Sequence, residues 1–190
     1  IDLSRKNRCA LQVGHIERHN PGFKRVQEIT KNTRFLEIHR LGPFTGRIND
    51  CGVVLDLMIH DLDIVLSLVG SEVASFDALG VNVLTPFEDI ANVRLKFKNG
   101  AVANITASRL TFEKQRKIRI FQEDAYISLD YGAQTGKIIR KSGSEILQED
   151  VSIEKAEPLK EELCFFLSGI ASGTSLGKPD TAARNALALA

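Results

Sequence analysis

Asp50-Cys51-Gly52-Val53-Val54-Leu55-Asp56-Leu57-Met58-Ile59-His60-Asp61-Leu62-Asp63-Ile64-Val65-Leu66-Ser67-Leu68-Val69-Gly70 is the stretch around which this 190-residue chain is organised. Asn49 and Asp50 have the side-chain oxygens of natural helix N-caps, and Gly70 suits a left-handed C-terminal stop. The run therefore predicts a helix from about Gly52 to Val69. At about 100° per residue, Gly52, Asp56, His60, Asp63 and Ser67 share a stripe roughly 80° wide. Nearly every other position is apolar, and a helix that is apolar on most sides is buried. Carboxylates and an imidazole in a buried stripe are costly unless they are paired or line a cavity. Asp56 and His60, four residues apart, can face one small volume.

That spacing has two readings. One is a satisfied Asp–His pair inside the core. The other is a histidine poised for proton transfer, with a carboxylate holding its orientation and charge. A metal centre has only two ligands in hand, because the sequence does not place His15, His19 or His39 beside them. Asp61 points about 140° from Asp56, away from the stripe, and is expected in a structural ion pair or hydrogen bond. Asp63 is on the stripe, two turns along.

Upstream, residues 9–14 read as a short buried strand. The turn Asn20-Pro21-Gly22 leads into a helix over residues 23–31, and residues 35–41 alternate as a strand. The Gly/Pro loop that follows carries Arg47, close to the positive end of the long helix, where it suits an anionic group. Downstream the period becomes two, predicting strands at 73–83, 91–98, 101–110, 117–122, 126–131, 137–141 and 145–153. Asn99-Gly100 reads as a two-residue hairpin loop that puts Lys96 opposite Ala103 and Leu95 opposite Asn104. The resulting mixed face would suit a contact surface. Pro158 starts a helix to residue 171; a small-residue linker (172–178), Pro179-Asp180 and a second helix follow. The order predicts an α+β fold, an open, predominantly antiparallel sheet with helices packed on one face.

A formal net charge of +1 gives no field that draws the chain to nucleic acid or a membrane surface. Arg94, Lys96 and Lys98 read as a solvated basic strand face, and the basic run Lys114 to Arg119 lacks interleaved aromatics, so no nucleic-acid partner is expected. The longest apolar run, residues 53–69, is broken by Asp56, His60, Asp61 and Asp63, and no membrane partner is expected. Cys9, Cys51 and Cys164 lie far apart and are odd in number, which suits reduced thiols in a cytoplasmic protein.

Two motifs then carry a resemblance: Val13-Gly14-His15-Ile16-Glu17-Arg18-His19-Asn20-Pro21 and the Asp50 to Asp63 segment quoted above. Together they resemble the Gfo/Idh/MocA oxidoreductase family, in which G-x-x-x-D-x-x-x-H-D opens the first long helix of the C-terminal domain. The first motif resembles the last strand of the nucleotide domain and its exit, in the version most like members acting on UDP-N-acetylglucosamine-type sugar nucleotides. The resemblance implies the C-terminal domain of a two-domain dehydrogenase. Residues 1–20 would be the remnant of an N-terminal Rossmann domain, and residues 21–190 a substrate-binding and oligomerisation domain.

It also implies hydride transfer between the C4 atom of NAD or NADP and a carbinol carbon of a sugar or sugar nucleotide. His60 and Asp56 match the family's catalytic histidine and aspartate. Arg18 and Asn20 fall where the exit strand passes the nicotinamide and substrate, with Arg18 near the nicotinamide, and Arg47 would bind a sugar-nucleotide phosphate or a carboxylate. The partners implied are a small sugar substrate and a second copy of the chain, in a homo-dimer or homo-tetramer formed through the open sheet face. This sequence has no G-x-G-x-x-G loop, ribose-reading acid or Glu-Lys-Pro, which the family carries on the nucleotide domain expected upstream of Ile1. The chain alone is expected to be inactive. Two alternatives stay open: a catalytically silent homologue serving as a binding or oligomerisation domain, and a metal-dependent hydrolase using Asp56 and His60.

Overall fold

Among the described residues the chain forms eight strands: β1 (Phe35–Leu41), β2 (Val73–Val81), β3 (Ile90–Phe97), β4 (Val102–Ser108), β5 (Gln115–Phe121), β6 (Ala125–Asp130), β7 (Thr135–Ser142) and β8 (Glu145–Val151). They form one sheet in the order β2-β3-β4-β1-β5-β6-β7-β8. β1, first in sequence, lies in the middle, parallel to β4 and antiparallel to β5. The remaining pairs are antiparallel, so the sheet is open and mostly antiparallel as expected. This is a computed structural model, and it describes residues 2–48, 50–173 and 181–190. Asn49, as a helix cap, and most of the linker with Pro179-Asp180 lie outside the described residues.

Among the described residues five α-helices accompany the sheet: α1 (Asp2–Lys6), α2 (Pro21–Ile29), α3 (Ile59–Val69), α4 (Pro158–Ala171) and α5 (Thr181–Leu189), with a 3-10 turn at Ile16–His19. The core lies between α2, α3 and α5 and one face of the sheet. Leu36 and Ile38 of β1, Ile105 of β4, Ile118 and Ile120 of β5 and Ile127 of β6 meet Leu62 and Val65 of α3 and Val26 of α2. β1 shows the alternation plainly, with Leu36, Ile38 and Arg40 inward. An arginine at the third inward position has to bring its own partners, and this one does.

Two expectations are corrected. Residues 9–14 form no strand, and Leu11 and Val13 are 44% and 48% exposed. Among the described residues no strand pairs with this segment. The hairpin after β3 has a three-residue loop: the Phe97 N–H donates to Ala101 O and the Gly100 N–H to Phe97 O, with Gly100 at φ +85°. That is the turn-plus-bulge form in which glycine takes the left-handed position. It moves the register by one, so Leu95 pairs with Ala103 and Arg94 with Asn104. Because side chains alternate, one step sorts the faces. Leu95 and Ala103 go inward, while outside Asn92 donates to Thr106 (2.8 Å) and Arg94 to Asn104 (3.2 Å). The mixed Leu95/Asn104 face does not exist.

Candidate functional site

The predicted long helix exists but begins differently. Residues Val54–Met58 form a π-helical turn that runs into α3, with Asp56 at its centre. π-turns inside helices are uncommon and concentrate at functional sites. Asp50 makes no cap. The N-terminal donors are met from the β2–β3 loop: Glu88 accepts from the Val53 N–H through its carbonyl (3.0 Å) and from the Val54 N–H through its carboxylate (3.1 Å). Gly52 makes room for this, since a Cβ there would lie 1.9 Å from Glu88 Oε1.

The wider turn changes what the polar stripe meets. No hydrogen bond or ion pair joins the Asp56 side chain to His60 or to any other described residue; its backbone N–H donates to Gly52 O at 3.1 Å. Asp56 lines a cavity of about 390 Å³ with Arg40, Arg47, Lys114 and Arg116. His60 faces the upstream motif instead, its ring edge-to-face with that of His15 at 6.1 Å between centroids. Further along, Asp63 is gripped by Arg18, whose Nε donates at 2.7 Å, and lies 3.7 Å from His15 Nδ1. Ser67 accepts from Gln27 at 2.7 Å. Residues 15–27 therefore cover the stripe from His60 onward, and the loop after β1 faces its beginning.

Burial and the nearby Arg40 guanidinium hold the His60 pKa below its ordinary value, against the smaller opposing pull of Asp61 and Glu17. Its imidazole is therefore neutral at neutral pH and able to accept a proton. Nδ1 of His60 and Nδ1 of His15 are both buried without a hydrogen-bond partner.

Asp61, on the opposite side of α3, anchors a buried network, in accord with the ion pair expected of it. Arg40 donates to it from Nε (2.8 Å) and Nη2 (2.9 Å), and the Tyr131 hydroxyl donates at 2.9 Å. Arg40 also reaches Glu17 at 3.2 Å. Burial works against the Arg40 charge, but Asp61, Tyr131 and Glu17 outweigh it and hold the guanidinium protonated. Burial, with Asp61 beside it, pushes the Tyr131 phenol well above its ordinary pKa. Asn20 caps α2 by accepting from the Gly22 and Phe23 N–H groups and donates to the Tyr131 carbonyl at 2.8 Å.

The five residues singled out from sequence thus separate. Asp56 and Arg47 share the 390 Å³ cavity. His60 sits against His15, Arg18 holds Asp63 at the edge of a different cavity of about 740 Å³, and Asn20 is buried in the α2 cap. Sequence reasoning weighed His15 only as a metal ligand and passed over Glu17, Arg40, Tyr131 and Glu88. Arg40 had a signal, its place at an inward position of an alternating strand. Tyr131 and Glu88 had none.

Residues 36–128 match the family profile described as the GFO/IDH/MocA C-terminal domain. The chain is 34% identical over 197 residues to the UDP-N-acetylglucosamine 3-dehydrogenase of Acidithiobacillus ferrooxidans, covering all of this chain and 63% of that protein. A crystal form of the same dehydrogenase superimposes with a TM-score of 0.88 over 99% of this chain and 61% of the other. The myo-inositol 2-dehydrogenase of Thermotoga maritima is 27% identical over 194 residues, covering 91% of this chain and 58% of that protein. Levoglucosan dehydrogenase in complex with NADH and levoglucosan shares the fold, at 14% identity and a TM-score of 0.79, over 97% of this chain and 63% of that one. The chain thus spans 63% or less of the length of these proteins.

Proposed function

We infer that this chain, which belongs to the GFO/IDH/MocA oxidoreductase family, is the substrate-side part of an NAD(P)-dependent dehydrogenase acting on a carbinol of a sugar or sugar nucleotide. In this reading residues 1–20 lead out of a nucleotide-binding domain and residues 21–190 hold the substrate. The observation that carries it is His60, an imidazole kept neutral by burial and Arg40, on the same helix as Asp56, which opens onto a cavity. When bound, a nicotinamide dinucleotide supplies or accepts the hydride.

The donor set fits that chemistry. Oxidation of a carbinol needs a group that takes the hydroxyl proton at neutral pH, and a neutral imidazole does so. His60 accepts that proton in the oxidative direction and returns it in the reductive one. His15 fixes the plane of the His60 ring. Asp56, unpaired among the described residues and facing the cavity, accepts hydrogen bonds from sugar hydroxyls and so orients the ring. Arg47 borders the same cavity. Arg18 acts on the nicotinamide side through the Asp63 pair, and Asn20 holds the turn that positions Glu17 and Arg18. The sequence supplies no glycine-rich loop for the dinucleotide pyrophosphate, so cofactor affinity would reside mainly in the nucleotide-binding domain.

Self-association through the sheet is part of the proposal. Leu79 on the outer face of β2 is 67% exposed, and Val83 and Leu84 just beyond it are each 61% exposed, an apolar edge that a second copy would cover. Sedimentation of Leu79→Asp against the unaltered chain reads this directly.

The activity test joins the chain to its nucleotide-binding domain and follows nicotinamide absorbance against UDP-sugars, aldoses and inositols, with His60→Ala alongside. Turnover that His60→Ala abolishes while cofactor binding survives supports the reading. Cofactor binding without turnover on any carbinol favours a silent binding domain, and no cofactor binding at all ends the dehydrogenase reading.

A further inference from the structure

Arg109, the residue after β4, is buried in the wall of the cavity that Asp56 and Arg47 share. Each nitrogen of its guanidinium is engaged. Nε donates to the Asp89 carboxylate at 2.7 Å and Nη2 to the Thr85 hydroxyl at 2.8 Å, both in the loop between β2 and β3. Nη1 donates to two backbone carbonyls of the loop after β1, Ile48 O and Cys51 O, each at 3.2 Å. The Phe44 ring of that loop lies over the guanidinium, its centroid 5.9 Å from Cζ. One side chain thus joins the end of β4 to two loops distant in sequence.

Asp89 makes this position tenable. Fully buried, its carboxylate accepts from the N–H groups of Val83, Leu84 and Thr85 at 2.8, 2.6 and 3.0 Å, and from the Thr85 hydroxyl at 2.9 Å. Burial works against its charge, but those N–H groups and Arg109 outweigh it and hold the carboxyl far below the usual range. The preceding residue, Glu88, caps the π-helical turn through the Val53 and Val54 N–H groups. The two segments that bring Asp56 and Arg47 to the cavity are therefore fastened to one loop, the first through Glu88 and the second through Asp89 and Arg109. A buried ion pair adds little stability over apolar packing. What a planar fork of donors does supply is direction, because it sets several acceptors at once.

We propose that Arg109, held by Asp89, is a positioning residue that fixes the loop carrying Phe44 and Arg47 as a rigid wall of the cavity, and so sets how tightly the cavity holds its substrate while taking no part in proton transfer. This deepens the reading given above and rests on it for the substrate, whereas the fastening of the loop rests on the hydrogen bonds alone. Lysine at position 109 keeps a charge facing Asp89 but has no fork to reach Thr85, Ile48 and Cys51 together. The loop then loses its anchor while the buried carboxylate keeps its counter-charge.

Cys51 reports on the loop. Cys9 and Cys164 are exposed and Cys51 is not, and burial, with Asp50 and Asp56, pushes its thiol up against the pull of Arg109. With Cys9→Ser and Cys164→Ser in place, its rate with an aromatic disulfide reagent measures access, and Arg109→Lys alters that access without removing the neighbouring charge. The rate is expected to rise about tenfold or more in Arg109→Lys and about threefold in the milder Thr85→Val. Rates insensitive to low urea mark local opening rather than global unfolding. With the chain joined to its nucleotide-binding domain, both variants should raise KM for the carbinol by similar factors and hold kcat. Unchanged thiol rates in both variants, or a fall in kcat at unchanged KM, overturn the proposal. The dehydrogenase reading fails separately. Faster thiol reaction in a joined protein that oxidises no carbinol leaves the fastened loop standing and removes that reading. Carbinol oxidation with KM and thiol rates unaltered in both variants does the reverse.

Discussion

Glu88 lies directly over Gly52, its Oε1 only 1.9 Å from where a Cβ would be, while that same carboxylate oxygen accepts from the Val54 N–H. The glycine that opens the long helix is thus a vacancy for a capping group delivered from a loop 34 residues away. Gly52→Ala should push the carboxylate off the helix end. The expected loss is that of a cap, about 0.5–2 kcal/mol. Glu88→Ala should cost a similar amount, and the double variant little more than either, because both remove one interaction. Urea unfolding of the three variants measures the cycle. Fully additive losses would show that the two residues act separately.

Arg40 and Asp61 join β1 to α3 inside the core, at 4% and 0% exposure. Arg40→Met should leave the Asp61 carboxylate buried with the Tyr131 hydroxyl as its remaining side-chain donor, at a cost of about 3–5 kcal/mol. Asp61→Asn combined with Arg40→Met should be less damaging than the sum of the two, since the stranded charge is then absent. Chemical denaturation decides it, and a loss below about 1 kcal/mol in Arg40→Met would mean that the pair is solvated in solution.

His60 gives stability a pH dependence of fixed sign. Its folded pKa is held below the unfolded value, which lies near 6.5. Between the two values the unfolded chain binds more protons, so stability rises with pH through that window. The contribution is fully present above about 6.5 and is lost as pH falls through the folded pKa. NMR titration of the His60 imidazole should find it neutral where free histidine is half protonated, and His60→Gln should flatten this part of the stability profile. A His60 that titrates above 6.5 would reverse the sign and contradict the neutral resting state required for proton acceptance.

Asn20 satisfies two N–H groups of α2 and the Tyr131 carbonyl at once. Asn20→Ala should cost about 1–3 kcal/mol. Asn20→Asp keeps the cap but sets a carboxylate against that carbonyl and against Glu17, so it should do no better than alanine. Thermal unfolding of the two variants compares them, and full stability in Asn20→Asp would place the whole effect in the cap.

Much of this was legible in the chain, for local reasons. Alternation along residues 35–41 and 115–121 fixes which side chains enter the core whatever the partner strand, because the pleat has period two. Gly70 stops α3 at φ +61°, as its residue type implies. The expectation failed where one residue decided the outcome. Asn99-Gly100 permits both a two-residue and a three-residue hairpin loop. The burial of Leu95 against Ala103 chose the second, and with it the face that every residue of β3 presents.

By itself the sequence determined the sheet-and-helix layering, the buried polar helix that carries Asp56 and His60, and the ion pair expected of Asp61. Each follows from hydrophobic period and the cost of burying charge. Tertiary structure decided which groups those side chains meet. The π-helical turn sends Asp56 to the cationic cavity and His60 to His15, and β1 supplies Arg40 to Asp61 from 21 residues away. Glu88 and Tyr131 arrive from loops and strand ends that no local pattern connects to the helix. The reason is physical: period records which face of an element is buried, whereas partnership across the core depends on where distant segments are brought by the packing of the whole sheet.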